Sequence, residues 1–208
     1  MNANTIFTIG RQFGSNGRKI GKALAERTGL PYYDAELITH AAEISGLLED
    51  TVRKFDEKAP ENKWHPYWFM PFPVNFEPLG QQIFNAQFKA LENIANKGGA
   101  VIVGRCADYV LRDHKDLVSV FIHAPEEWRI ENIRKRHPED AANAEAVMRR
   151  TDKSRAWYYS FYTGKTWGAA SAYDLCLRSD TITVDDAVAL ILAFAEAKAR
   201  INEIIDNR

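Results

Sequence analysis

Between Thr5 and Gly29 the chain reads TIFTIGRQFGSNGRKIGKALAERTG, and this segment limits the folds open to the rest. Thr5 to Ile9 are β-branched and aromatic, the composition of a short buried strand. A loop follows that carries Gly10, Gly14, Ser15, Asn16 and Gly17. From Arg18 to Thr28 the apolar residues Ile20, Ala23, Leu24 and Ala25 recur at helical spacing, and Gly29 stops the helix. Strand, glycine loop and helix in succession aim backbone N–H groups and a helix dipole at a phosphate. The strict pattern G-x-x-x-x-G-K-[ST] is absent. With Gly17 as its second glycine, Arg18 stands where the lysine belongs and Lys19 where the small hydroxyl residue belongs. Gln12 takes the place of the first glycine. These residues leave two readings open, a phosphate cradle and a tight strand-to-helix turn with no ligand.

The remainder fits one α/β domain. The whole chain's 208 residues are 46% hydrophobic, enough for a sizeable core. The net charge of −1 gives no global attraction to nucleic acid or to a membrane surface. Cys106 and Cys176 have no metal-ligand spacing and fit a reduced, cytoplasmic chain. No run of about 18 apolar residues occurs, and MNANTIFTIG lacks the charged-then-apolar order of a signal peptide.

Further elements alternate along the chain. A second strand is expected at Leu30 to Tyr33, ending at Asp34, then a helix from Ala35 to about Ser45. Residues 63–78, KWHPYWFMPFPVNFEP, hold four prolines and six aromatics, too many prolines for a helix or a central strand. A helix is expected from Leu79 to Lys97, a fully buried strand at Ala100 to Val103 running into Gly104-Arg105, and a strand at Leu117 to Ile122. Pro125 starts a helix that Pro138 breaks, and a further helix is expected from about Glu139 to Tyr159. The last strand is placed at Tyr173 to Leu177 and the last helix at Val184 to Ile205. Five short strands alternating with helices predict a parallel sheet covered on both faces. Ligands on such sheets bind at the carboxyl ends of the strands. The glycine loop, Asp34 and Gly104-Arg105 are therefore expected around one cleft, with His123 and Ser179-Asp180 at the remaining strand ends.

Arg18, and beside it Arg11, can supply the positive charge that the missing lysine would place on a phosphate. A cation in a helix's first turn otherwise opposes the dipole. Asp34 can accept hydrogen bonds from a substrate or cap the next helix. Arg105 can hold a phosphate through two parallel hydrogen bonds or make a structural ion pair. Arginines 129, 134, 136, 149, 150 and 155 suit either a solvated helical hairpin or a lid closing on transferring phosphates. The aromatics between Trp64 and Phe76 can stack on a base or pack in a core or at a dimer interface. Those from Trp157 to Tyr162 read as core and hinge.

Several stretches together resemble the cytidylate kinase-like proteins of bacteria, a branch near the nucleoside monophosphate kinases. They are TIGRQFGSNGRKIGKALAERTGLPYYDAELI, FDEKAP, VIVGRCADYVL, VFIHAPEEWRIENI and DKSRAWYYSFYTGKTWGAASAYDLCLRS, in order over nearly the whole chain. The resemblance implies a three-layer P-loop kinase fold with a helical lid over residues 126–162 and an acceptor-binding insert over 47–98. It implies ATP with Mg²⁺ as donor and a nucleoside monophosphate, notably CMP or dCMP, as acceptor. Small nucleotides would be the partners, with no nucleic acid and no membrane, and a homodimer stays open. Carried onto this chain, Gly14, Ser15, Asn16, Gly17, Arg18 and Lys19 would hold ATP. Asp34, Arg105, Asp152 and Arg155 would hold the acceptor. Arg18, Arg129, Arg134 and Arg155 would act on the transferring phosphoryl group, with Arg136 a further lid arginine. The chain departs from that pattern at Arg18, at Lys19, at Cys106, where cytidylate kinases carry an aspartate, and over residues 47–78. A P-loop kinase of another small metabolite, and a nucleotide-binding regulatory protein without turnover, are the alternatives.

Overall fold

The computed structural model describes residues 4–34, 79–136 and 138–206. Strand β1 (Ile6–Arg11) leads through the glycine loop into α1 (Gly17–Thr28), and β2 is the short pair Tyr32–Tyr33. Next come α2 (Leu79–Asn96), β3 (Ala100–Val103), the single-turn α3 (Ala107–Val110) and β4 (Leu117–His123). Helices α4 (Glu126–Arg136) and α5 (Ala144–Thr163) precede β5 (Leu175–Arg178) and α6 (Val184–Asp206). The expected helix over 35–45, the insert residues 47–78 and the aromatics Trp64 to Phe76 lie outside the described residues.

The five strands form one parallel sheet in the order β2-β3-β1-β4-β5. Alternation within the strands builds two cores. Phe7, Ile9, Val101, Val103, Val120 and Ile122 face a layer with Ile20 and Leu24 of α1 and Ile191 of α6. Ile6, Ala100, Ile102 and Leu117 face Leu91 and Ile94 of α2 and Val110 of α3. Residues adjacent in a strand thus serve opposite layers, as a strand period of two requires. Every residue of β3 is 0% exposed, so its continuous apolar run reflects cover on both faces. This is the three-layer α/β arrangement that the alternating pattern predicts.

The boundaries differ from the sequence reading in the lid region. The helix expected to begin at Glu139 is instead a 3-10 segment, Pro138–Asn143, and the α-helix starts at Ala144. Asp and Asn are residue types of low helix propensity, which weakens an α start in that run. The last strand begins two residues later than expected. Tyr173 is buried, but the Asp174 carboxylate takes the N–H and hydroxyl of Ser119, so sheet pairing starts at Leu175. Among the described residues, no helix is long and apolar enough to cross a membrane.

Candidate functional site

Strand β1 lies between β3 and β4, while the chain leaves it toward β2 on one side and later reaches β4 on the other. Its carboxyl end is therefore the switch point of the sheet, where a crevice opens. The glycine loop sits there. Gln12 donates its N–H to Ile122 O at 3.0 Å, and its side-chain oxygen accepts from the Ala124 N–H at 3.1 Å. The buried Ser15 hydroxyl bonds Gln12 O at 2.9 Å and Ile122 O at 3.1 Å, while Ser179, after β5, donates to Ser15 O at 2.6 Å. Gly14 has φ 81°, and a Cβ there would lie 2.8 Å from the Arg129 carbonyl, so conformation and space both demand glycine. Asn16, in the left-handed region, precedes α1 and gives it no side-chain cap; no acidic residue stands in the first turn. The first-turn amides of α1 and its dipole are thus presented as an anion-binding end.

The cleft beside this loop has a volume of about 840 Å³. Its walls include Gly14, Asn16, Gly17, Arg18, Lys19, Asp34, Arg105 and Arg155, so the ends of β1, β2 and β3 do converge on one site. Arg11, Lys22, Arg136, Asn132 and Tyr32 line it as well. Among the described residues, seven basic side chains against the acid Asp34 make it cationic in a chain whose net charge is −1. Such a wall focuses field on anions.

Arg18 is 72% exposed, and its Nε lies 2.7 Å from Asp34 Oδ2. The cation at the lysine position thus reaches across to the end of β2. Arg105 is 5% exposed and, with Gly104 and Cys106, forms three consecutive residues of positive φ (85°, 62° and 54°). Left-handed backbone at two non-glycine residues stores strain, about 1–3 kcal/mol each, of the sort concentrated at functional sites. It turns the chain sharply off β3 and places Arg105 on the cleft wall. Arg155 Nη1 reaches Arg11 O at 3.4 Å, and its guanidinium lies 5.7 Å from the Phe13 ring. Arg11, Arg105 and Arg155 also border a second, smaller cavity of about 30 Å³, lined further by Asp108, Tyr159 and Tyr173. Burial raises the pKa of Asp108, although Tyr159 donates to it at 2.7 Å; burial and the nearby carboxylate push both tyrosines up.

Three expected site residues are placed elsewhere. Arg129 is 4% exposed and donates to Ala124 O, to Phe13 O and to Asp152, so it braces the loop. Asp152 accepts from the Phe13 N–H at 2.7 Å and from Arg129, and it is not on the cleft wall. Arg134 is half exposed, 4.0 Å from Glu131, and also off the wall. Sequence reasoning missed Lys22 and Asn132. Lys22 follows Arg18 by four residues and so shares its face of α1, a legible signal. Asn132 carried none, because its partners lie 116 and 118 residues away.

Among the described residues, the cleft offers magnesium no donor set. The Ser15 hydroxyl is turned to two carbonyls, Lys19 replaces a hydroxyl residue, and Asp34 pairs with Arg18. Among the described residues no group of three or more His, Cys, Asp or Glu side chains could hold a metal ion. An ion of this kind would arrive on a nucleotide's own phosphates.

The cytidylate kinase-like family model matches residues 6–181. No curated protein matches the chain. A solved structure of an uncharacterized protein from Eubacterium ventriosum ATCC 27560 is 29% identical with a TM-score of 0.72, over 93% of this chain and 99% of that one. A gluconokinase from Sinorhizobium meliloti 1021 gives a TM-score of 0.58 at 14% identity, over 99% and 97%. A shikimate kinase from Bacteroides thetaiotaomicron gives 0.56 at 10%, over 92% and 98%. At such identities the two kinases share the fold alone, and that fold is the P-loop kinase fold.

Proposed function

The chain belongs to the cytidylate kinase-like family and has the P-loop kinase fold, and on that footing we propose that it transfers the γ-phosphoryl group of ATP to a nucleoside monophosphate, CMP or dCMP. One observation supports this reading most: the glycine loop, Asp34 and Arg105 border the same cationic cleft. In this proposal the amides of Gly14 to Lys19 hold the β- and γ-phosphates, and Arg18, Lys19 and Lys22 balance their charge. Asp34 orients the acceptor from the end of β2. Arg105 and Arg155 hold its phosphate by charge-assisted hydrogen bonds. Transfer is in line, driven by position and charge and without a covalent enzyme intermediate. Arg155 and Arg18 flank the path between donor and acceptor and would stabilise the charge spread over the transferring group.

The test is ADP formation from ATP and Mg²⁺ with and without CMP, dCMP and the other nucleoside monophosphates. Stimulation by CMP or dCMP is expected, and a flat response to every nucleoside monophosphate sinks the acceptor assignment. The Arg18–Asp34 contact favours a second reading, in which nucleotide is bound without turnover, because it draws the loop's cation away from the phosphates. ATP binding by calorimetry with no ADP formed, across nucleotides and small hydroxy acids, would select that reading. Turnover with a non-nucleotide acid would instead select a kinase of another metabolite.

A further inference from the structure

The glycine loop is held by the two helices that the sequence assigns to a lid. Asp152, on α5, accepts the Phe13 N–H through Oδ1 at 2.7 Å, and its Oδ2 accepts from Arg129 on α4. Arg129 Nη1 also donates to Phe13 O at 3.1 Å. One turn further along α4, Asn132 Nδ2 donates to Gly14 O at 2.6 Å and to Asn16 Oδ1 at 2.7 Å. Both carboxylate oxygens of Asp152 thus serve the loop.

A planar peptide points its C=O and N–H in opposite directions. Anchoring the Phe13 carbonyl on Arg129 therefore turns the Gly14 N–H away from that guanidinium, and Gly14 lines the cleft. Holding the Asn16 side chain on Asn132 keeps it from capping α1, which leaves the first-turn amides to a ligand. We propose that Asp152 and Asn132 are positioning residues of the donor site, fixing the glycine loop in its phosphate-facing shape and so governing ATP binding and not acceptor binding. This rests on the reading of ATP as donor, and it reassigns Asp152 from the acceptor to the loop.

Calorimetric titration of the full chain with ATP and Mg²⁺, and separately with CMP, tests it. Asn132→Ala removes two hydrogen bonds from a partly exposed side chain, so the variant should fold. Its ATP affinity is expected to fall about tenfold, the scale of one to two net hydrogen bonds, with CMP affinity unchanged. Asp152→Asn should behave alike where it folds, and Asn132→Asp should be weaker still, since a carboxylate would face Gly14 O and Asn16 Oδ1. An unchanged ATP affinity in Asn132→Ala overturns the proposal. So does a loss of CMP affinity equal to or larger than the loss for ATP, which would return these residues to the acceptor side or to a general structural role. Parent protein that binds no ATP at all would be a different failure, that of the donor reading, and the inference falls with it.

Discussion

Arg18 and Asp34 meet at 2.7 Å, yet they differ in setting: the arginine is 72% exposed and the aspartate 12%. A mostly exposed ion pair contributes little to stability, about 0–1 kcal/mol, so its value is local and chemical. Arg18 can exchange Asp34 for a phosphate at small cost, because its long side chain is already in solvent. If it takes the lysine's role, Arg18→Ala should lower kcat by about 10²-fold or more, with the melting temperature almost unmoved. Turnover equal to the parent's would remove Arg18 from the mechanism. Asp108 presents the opposite case. Burial raises its pKa above the ordinary 3.8, and Tyr159 and the charge of Lys165 only partly oppose this. The folded chain therefore holds a proton on Asp108 more readily than the unfolded one, and stability contributed there falls as pH rises from about 3.8 through the folded value. Asp108→Asn keeps an acceptor for the Tyr159 hydroxyl and removes the buried charge. Its melting temperature should exceed the parent's at pH 7 by a few degrees, and the gap should close as pH falls through that window. A lower melting temperature at pH 7 would mean that the carboxylate's partners outweigh its burial. Sequence reading reached Arg18, Asp34 and Arg105 because strand ends and glycine spacing announce where side chains emerge. It did not show that Arg129 and Asp152 hold the glycine loop, because their partner Phe13 lies more than a hundred residues earlier in the chain.

At the scale of elements, α1 is set by how closely it lies on the sheet. A Cβ at Gly21 would meet Val103 Cγ2 at 3.0 Å, Ile9 Cγ1 at 3.6 Å and Tyr32 Cε2 at 3.6 Å. Mid-helix glycine costs about 0.5–1 kcal/mol relative to alanine, so its presence here is explained by the contact and not by the helix. Gly21→Val should destabilise by about 1–3 kcal/mol through overpacking, read as a lower midpoint in denaturant unfolding at unchanged slope. A higher midpoint would show that α1 can move off the sheet at no cost. The strands and long helices were legible because their apolar periods are regular and their glycine and proline stops are clear. The short elements were not. The four-residue α3 follows two left-handed residues that no propensity rule anticipates at Arg105 and Cys106. The 3-10 segment Pro138–Asn143 is too short and polar to carry a period.

For the molecule as a whole, the uneven distribution of charge matters more than its sum. A net charge of −1 conceals a cleft to which the described residues bring seven basic side chains, three of which, Arg11, Arg105 and Arg155, also border the smaller cavity beside it. Those three come from β1, from the turn after β3 and from α5, so the cleft is assembled by the fold and ceases to exist when the chain unfolds. A ligand that binds only the folded state stabilises it by mass action, by about 2.7 kcal/mol at a hundred times its Kd. In a chain of this size each kcal/mol raises the melting temperature by about 2–4 °C. Phosphate or sulfate should therefore raise the melting temperature more than chloride at equal ionic strength, and ATP should do so at far lower concentration. The double variant Arg105→Gln, Arg155→Gln should lose most of the phosphate and sulfate effect. It should keep part of the ATP effect, because the loop amides and the first turn of α1 remain. Equal stabilisation by phosphate and chloride in the parent would mean that the three arginines are neutralised within the fold, and it would remove the electrostatic basis for an anionic acceptor. A double variant that loses the ATP effect as completely as the phosphate effect would place the donor phosphates on Arg105 and Arg155, and exchange the roles assigned here to the two halves of the cleft.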